Sequence, residues 1–150
     1  MTYDSKADTL EHIRTVQLFI GKFIRRLLDR ADEHDFTKLL PPEKETFDRM
    51  TPRLSSVSYG SDEYRAMLKE MRPALDHHNH YNSHHPEFYE NGIGDMDLVD
   101  MVEMFCDWKA ASMRHADGDL RKSLSINAER FGIDEQLYSI LANTIKRMRW

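Results

Sequence analysis

The sequence predicts an all-α fold, and three observations carry that expectation. Apolar residues recur every three or four positions in long runs. Residues able to cap a helix stand just before several of those runs. No segment alternates with the period of two that a half-buried strand requires. With 150 residues, 40% of them apolar, the chain has the size of a single domain over 1–150 and can bury a core. About six or seven helices are expected.

The elements follow in order. Asp8 and Glu11, three residues apart, read as a capping box for an amphipathic run in which Leu10, Ile13, Val16, Ile20, Phe23, Leu27 and Ala31 recur at helical spacing. Pro41-Pro42 stops whatever helix carries His34. Glu43 to about Leu54 forms the next helix, and a polar loop runs from Ser55 to Gly60. Ser61, with Asp62 and Glu63 in the first turn, starts another. That helix runs through Tyr64, Met67, Leu68 and Met71, and Pro73 kinks it. From 79 to 96, Asn, His, Pro and Gly without periodicity read as a loop. Asp97 to about His115 is a strong helix ended by Gly118. Asp119 and Asp134 cap the last two, which turn Leu120, Leu124 and Phe131, and then Leu137, Leu141, Ile145 and Met148, inward.

Composition narrows the function classes. A formal net charge of −5, with no block of Lys or Arg, gives no signal for nucleic acid. Cys106 is the only cysteine, so no internal disulfide is available, which fits a reducing cytoplasm. No signal peptide opens the chain, and Lys22, Arg25 and Arg26 interrupt the longest apolar stretch, Val16 to Leu28, so no membrane span is expected. The expectation is a soluble cytoplasmic protein. The nine methionines and two tryptophans belong in its core rather than on a dimer face, and oligomeric state is not indicated.

The chemistry-bearing residues form three groups. His77, His78, His80, His84 and His85 crowd into nine positions, and neutral imidazole is the commonest nitrogen ligand of transition metals. His34-Asp35 lies in the string HDFTKLLPPE, where adjacent imidazole and carboxylate can chelate and Lys38, one turn on, can meet a phosphate. In the helix MDLVDMVEMFCDWKAAS, Asp100, Glu103 and Asp107 stand at i, i+3 and i+7 and share a face. Carboxylates between apolar flanks are costly unless paired or metal-bound, and Asp107 is the first candidate among them.

Taken together these residues resemble the HD-domain superfamily, whose metal site is assembled as H…HD…D from separate helices. The matching positions are His12, His34-Asp35 and Asp107. HDFTK, His77-His78, the stretch NSHHPEFYENGIG and Asp107 also follow the order of the extended, two-metal HD-GYP phosphodiesterases. The GYP tripeptide itself is lacking, so their cyclic dinucleotide activity is not carried over. The chain looks more closely like an uncharacterised family of small bacterial and phage proteins. The shared strings run from Thr9 to Ile13, His34 to Glu43 (with Thr37 where Ser is usual), Tyr59 to Tyr64, His77 to Glu87, Glu103 to Ala110, and Arg130-Phe131. His12 carries a condition. On one straight helix it would lie about 33 Å from His34, at 1.5 Å per residue, so sharing a metal requires a break near Gly21 or at Asp29–Glu33.

The resemblance implies a single HD-domain-like helical bundle and a metal-dependent phosphohydrolase acting on a small phosphorylated molecule, most plausibly a nucleotide. One or two divalent ions (Mn, Co, Ni, Mg, Zn or Fe) would be held by His12, His34, Asp35, His77, His78 and Asp107. Asp35, Lys38 and His84 would carry the chemistry. Lys38, Asn82, His84, His85 and Arg130 would meet the substrate, with Arg114 and Arg121 better read as surface residues. Two other classes use the same residues: a di-iron oxygenase of the HD type, and a non-catalytic, metal-stapled module, such as a phage protein that sequesters a nucleotide or host factor.

Overall fold

The computed structural model describes residues 3–57, 61–114 and 118–150. Among these residues the chain is all-α, with seven α-helices, three short 3-10 turns and no strand. Tyr59 and Gly60, at the end of the expected polar loop, and His115, the expected end of the strong helix, lie outside the described residues. The chain divides into two compact units, Met1–His34 and Asp35–Trp150.

The first unit is one helix, α1 (Lys6–Glu33). It begins before the expected capping box. Ser5 takes the N-cap position without a side-chain cap, and Asp8 falls inside the first turn, where its charge still suits the helix dipole. Thr9 Oγ1 donates to the Ser5 carbonyl at 2.9 Å. The helix runs unbroken through Gly21 and through Asp29–Glu33, and His34 ends it with extended backbone.

The second unit holds α2 (Glu43–Leu54), α3 (Asp62–Glu70), α4 (Arg72–Tyr81), α5 (Leu98–Ser112), α6 (Leu120–Phe131) and α7 (Glu135–Met148), with 3-10 turns at Phe36–Leu39, Pro86–Phe88 and Gly92–Asp95. Four helices start on side chains that accept from their own first turn. Ser61 accepts from Tyr64 N at 3.1 Å, Asp97 from Val99 N and Asp100 N at 2.7 and 2.9 Å, Asp119 from Arg121 N at 2.8 Å, and Asp134 from Leu137 N at 2.7 Å. Gly132, at φ +64°, ends α6 in the left-handed conformation that glycine adopts without penalty.

Two expectations change here. Pro73 does not kink one long helix; it occupies the first turn of α4, where its missing N–H costs nothing. The helix it starts then continues to Tyr81, so His77, His78 and His80 are helical and the loop begins at Asn82. Its inward positions are Ala74 and His78, four apart, and an imidazole there hides the apolar period.

Two apolar clusters hold the helices of this unit. Met50, Met67 and Met71, joined by Phe47, Leu54, Val57 and Leu75, close α2, α3 and α4; flexible thioethers fill such an irregular junction readily. Phe105, Leu120, Leu124, Leu141 and Ile145, with Trp108 and Trp150 against them, close α5, α6 and α7. No helix among the described residues is long and apolar enough to cross a membrane.

Leu124 is 1% exposed and Ile126, on the same helix, is 56% exposed. Leu124→Ala is expected to lower unfolding free energy by about 2–5 kcal/mol, and Ile126→Ala by about 0.5 kcal/mol or less. Urea denaturation of both variants checks the assignment of this core.

Candidate metal centre

The second unit opens on Asp35, and its backbone is unusual. It sits at φ 57°, ψ 14°, the left-handed region, which costs a side-chain-bearing residue about 1–2 kcal/mol and which Asp tolerates better than most. A strained residue of this kind is held in place by its surroundings. Here the carboxylate is turned toward two buried imidazoles. Asp35 Oδ1 lies 3.1 Å from His78 Nε2 and 3.5 Å from His84 Nε2. Its other oxygen, Oδ2, accepts from Lys38 Nζ at 2.5 Å. His85 Nε2 lies 2.9 Å from His78 Nε2. One donor atom each from Asp35, His78, His84 and His85 falls within a 4.8 Å span.

Each of the two buried rings is fixed from behind by a buried carboxylate. His78 Nδ1 lies 2.9 Å from Glu43 Oε2, and His84 Nδ1 lies 3.0 Å from Glu103 Oε1. A carboxylate can only accept, so the proton is assigned to Nδ1, and a neutral ring then turns its Nε2 lone pair toward Asp35. Glu43 is fully buried and is met on every side. Thr37 Oγ1 donates to Oε2 at 3.0 Å, and His77 Nδ1 approaches Oε1 at 2.7 Å. Asn82 Nδ2 donates to Thr37 Oγ1 at 2.9 Å and to the His78 carbonyl at 2.7 Å. Carboxylate, imidazole and a shared focus are the arrangement by which proteins orient metal-binding histidines.

Helix α5 supplies the opposite wall through the stripe read from its spacing. Asp100 accepts from Ser83 Oγ and Tyr89 Oη, both at 2.6 Å; burial first, and then the Asp100 carboxylate, push the Tyr89 hydroxyl up to about 12. Glu103 anchors His84. A carboxylate oxygen of Asp107 lies within 4.8 Å of one of Asp35. Burial, with His84 and His78 close by, lowers His85 to about 3, and the Asp107 charge pulls only weakly the other way. The His85 ring is therefore neutral, as a metal donor must be.

The expected site residues fall into groups. Asp35, His78, His84 and His85 come together, with Lys38 and Asp107 beside them. His84 was expected on the substrate; it is 1% exposed and faces Asp35, so its geometry is that of a donor. Asn82, also expected on substrate, spends its amide on Thr37 and the helix end. His77 leans on Tyr81, ring centroids 4.5 Å apart, and its Nδ1 is engaged by Glu43, which makes it a support of the cluster rather than a member. Arg130 pairs with Glu87 at 2.7 Å and lies over the Phe131 ring. His34 ends α1, one peptide bond before Asp35. His12 is on the same helix, and since that helix is unbroken the two are about 33 Å apart at 1.5 Å per residue. The break that a shared metal required is not there, so His12 and His34 cannot share an ion. Glu43 and Thr37 stand in the HDFTKLLPPE string, but the sequence reading gave neither a role at the site. A glutamate in the first turn of a helix reads as an ordinary dipole partner.

The donor set fits a divalent cation. Imidazole nitrogens around one carboxylate oxygen suit Zn, Ni, Co, Fe or Mn, whereas Mg prefers an oxygen shell. Asp35, Glu43, Glu103 and Asp107 gather carboxylates at the cluster, with the Lys38 ammonium on Asp35.

The family of unknown function DUF5662 matches residues 1–147, and the chain belongs to it. No curated protein and no solved structure matches the chain.

Two predictions follow from this geometry. Glu43→Gln places an amide where His78 and Thr37 need an acceptor and is expected to weaken transition-metal binding about 10- to 100-fold, measured by chelator competition. The second concerns metal-free protein. His85 titrates at 6.5 when unfolded and at about 3 when folded, so between those values the unfolded chain binds more protons and stability falls as pH falls from 6.5 toward 3. His85→Gln is expected to flatten that slope by up to one proton, measured by denaturant titration across the interval.

Proposed function

We propose that this protein is a metal-dependent phosphohydrolase acting on a small phosphorylated molecule, a nucleotide, in the cytoplasm. The observation that carries the reading is the focus of His78, His84 and His85 on Asp35, with the Lys38 ammonium on the same carboxylate. The resemblance of the HDFTKLLPPE string and the downstream histidines to the HD-domain superfamily supplies the reaction class.

A divalent cation bound by these donors would polarise a phosphoryl oxygen and lower the pKa of water. The chain's own groups do the rest. Lys38, held by Asp35 Oδ2 with its ammonium over the Phe47 ring at 5.3 Å, places a partly exposed positive charge beside the donors, where it offsets phosphate charge. Asp107 puts a carboxylate next to Asp35, suited either to a further oxygen ligand or to accepting a proton. Glu43 and Glu103 keep His78 and His84 from turning away. Arg130, committed to Glu87, has no part in this reading.

A second reading has an observation of its own. Four protein donors are enough to close a four-coordinate zinc site, as in structural centres, whereas six-coordinating ions keep positions for substrate and water. The chain would then be a metal-stapled binding module.

The two readings separate in one experiment. Metal-stripped protein is reloaded in turn with Mn, Co, Ni, Fe(II) or Zn and offered nucleoside mono-, di- and triphosphates and cyclic nucleotides. Phosphate release or ring opening is expected with at least one six-coordinating ion and should drop to background in Asp35→Asn and His78→Gln. Turnover of no substrate by any loaded form, together with strong thermal stabilisation by Zn, would favour the stapled module and overturn the enzyme.

A further inference from the structure

His84 and His85 are brought to the cluster by a segment that has little structure of its own. Between Asn82 and Gly92 the backbone hydrogen bonds are local: His85 N to Asn82 O at 3.1 Å, Phe88 N to His85 O at 3.0 Å, Tyr89 N to Pro86 O at 3.2 Å and Gly92 N to Tyr89 O at 3.3 Å. These backbone bonds shape the segment, and its side chains set where it sits against the helices. The attachment is made by side chains. Arg130 of α6 reaches Glu87 at 2.7 Å and His85 meets His78 of α4 at 2.9 Å. Toward α5, two bonds run to one residue: Ser83 Oγ donates to Asp100 Oδ1 and Tyr89 Oη donates to Asp100 Oδ2, each at 2.6 Å. His84 Nδ1 lies 3.0 Å from Glu103 Oε1 on the same helix.

Asp100 is suited to this by its place in α5. It is the third residue of the helix, and its Oδ2 also accepts from Asp97 N at 3.3 Å, completing a reciprocal capping box with the Asp97 side chain. The carboxylate is 3% exposed and its rotamer is fixed by its own helix end. Its two oxygens face the two ends of the segment 83–89, with both histidines between them. Glu103, one turn later, receives His84, and Asp107, a further turn on, stands beside His85.

Resting on the metal-centre reading above, we infer that Asp100, Ser83 and Tyr89 form a latch that sets the position of His84 and His85, so that metal affinity depends on residues that touch no metal. Asp100 acts through the histidines and is a positioning residue. The latch holds the donors in place before any ion arrives; without it, the ion must order the segment itself, and affinity falls accordingly. Hydrogen bonds to a carboxylate are among the stronger ones in a protein, and loss of a supporting partner typically lowers metal affinity about 10- to 100-fold.

Co(II) added to the metal-stripped full chain is the probe, read by its visible absorption and by competition with a chelator. Ser83→Ala and Tyr89→Phe are each expected to weaken Co(II) binding about tenfold. The double variant should weaken it further and shift the visible bands, while the melting temperature of the metal-free protein moves only a few degrees. Asp100→Asn is expected to resemble the double variant; if it does not fold, the two hydroxyl deletions decide the matter. Unchanged affinity and bands in the double variant would reduce the latch to a structural clip and overturn the inference. Wild-type protein that binds no Co(II) would instead sink the metal-centre reading, and the latch with it.

Discussion

Electron-pair donors repel when they are crowded. Three imidazole rings and a carboxylate placed with one atom each inside 4.8 Å hold together only against that repulsion, and the second unit is organised around opposing it. Two buried glutamates do so directly. Each takes the Nδ1 proton of one histidine, which fixes the ring and sends its remaining lone pair toward Asp35. Burying a carboxylate is expensive unless its oxygens are met by donors. Glu43 is met by Thr37, His77 and His78 and Glu103 by His84. The arrangement makes chemical sense with a cation at its focus.

The helices serve that focus. Glu43 opens α2, His78 sits on α4 and Glu103 on α5, so three helices must keep their spacing for the two carboxylate–imidazole pairs to form. The methionine cluster locks α2, α3 and α4 together. The second cluster, built on Phe105 one residue pair beyond Glu103, locks α5 to α6 and α7. Pro73 matters for the same reason: by starting α4 afresh it sets the rotation that turns Ala74 and His78 inward. The left-handed Asp35 shows where the cost falls, since the chain accepts an unfavourable backbone there to aim one oxygen.

Much of the fold was legible from local chemistry. Ser61, Asp97, Asp119 and Asp134 announce their helices because capping depends on a side chain and the two or three residues after it. Glu43–Leu54 starts where Pro41-Pro42 stops the preceding run, and the inward Leu120, Leu124, Leu141 and Ile145 follow from apolar period. The errors have separate causes. The end of α4 was read as loop because its inward position is an imidazole, not an apolar residue. The start of α1 was misplaced because Asp8 and Glu11 fit a capping box that the helix does not use. For the site, the histidine cluster and the α5 stripe could be seen in one dimension, but the division of labour could not. Whether His77 or His78 faces Asp35, and whether Asn82 meets substrate or the end of its own helix, depends on rotation about α4, which a sequence with no apolar marker at 78 leaves undetermined. Glu43 was hidden for a different reason: buried and exposed glutamates look alike in a helix's first turn.

The central claim is that imidazoles converge on one carboxylate to hold a transition ion. X-ray absorption at the metal edge of protein loaded with one equivalent of Co(II) tests it most directly, because multiple scattering from imidazole rings counts coordinated histidines. The account predicts a nitrogen- and oxygen-containing shell with about three imidazoles, reduced by one in His85→Gln. A shell of oxygen alone, or one with a single imidazole unaffected by changes at His78, His84 or His85, would contradict it.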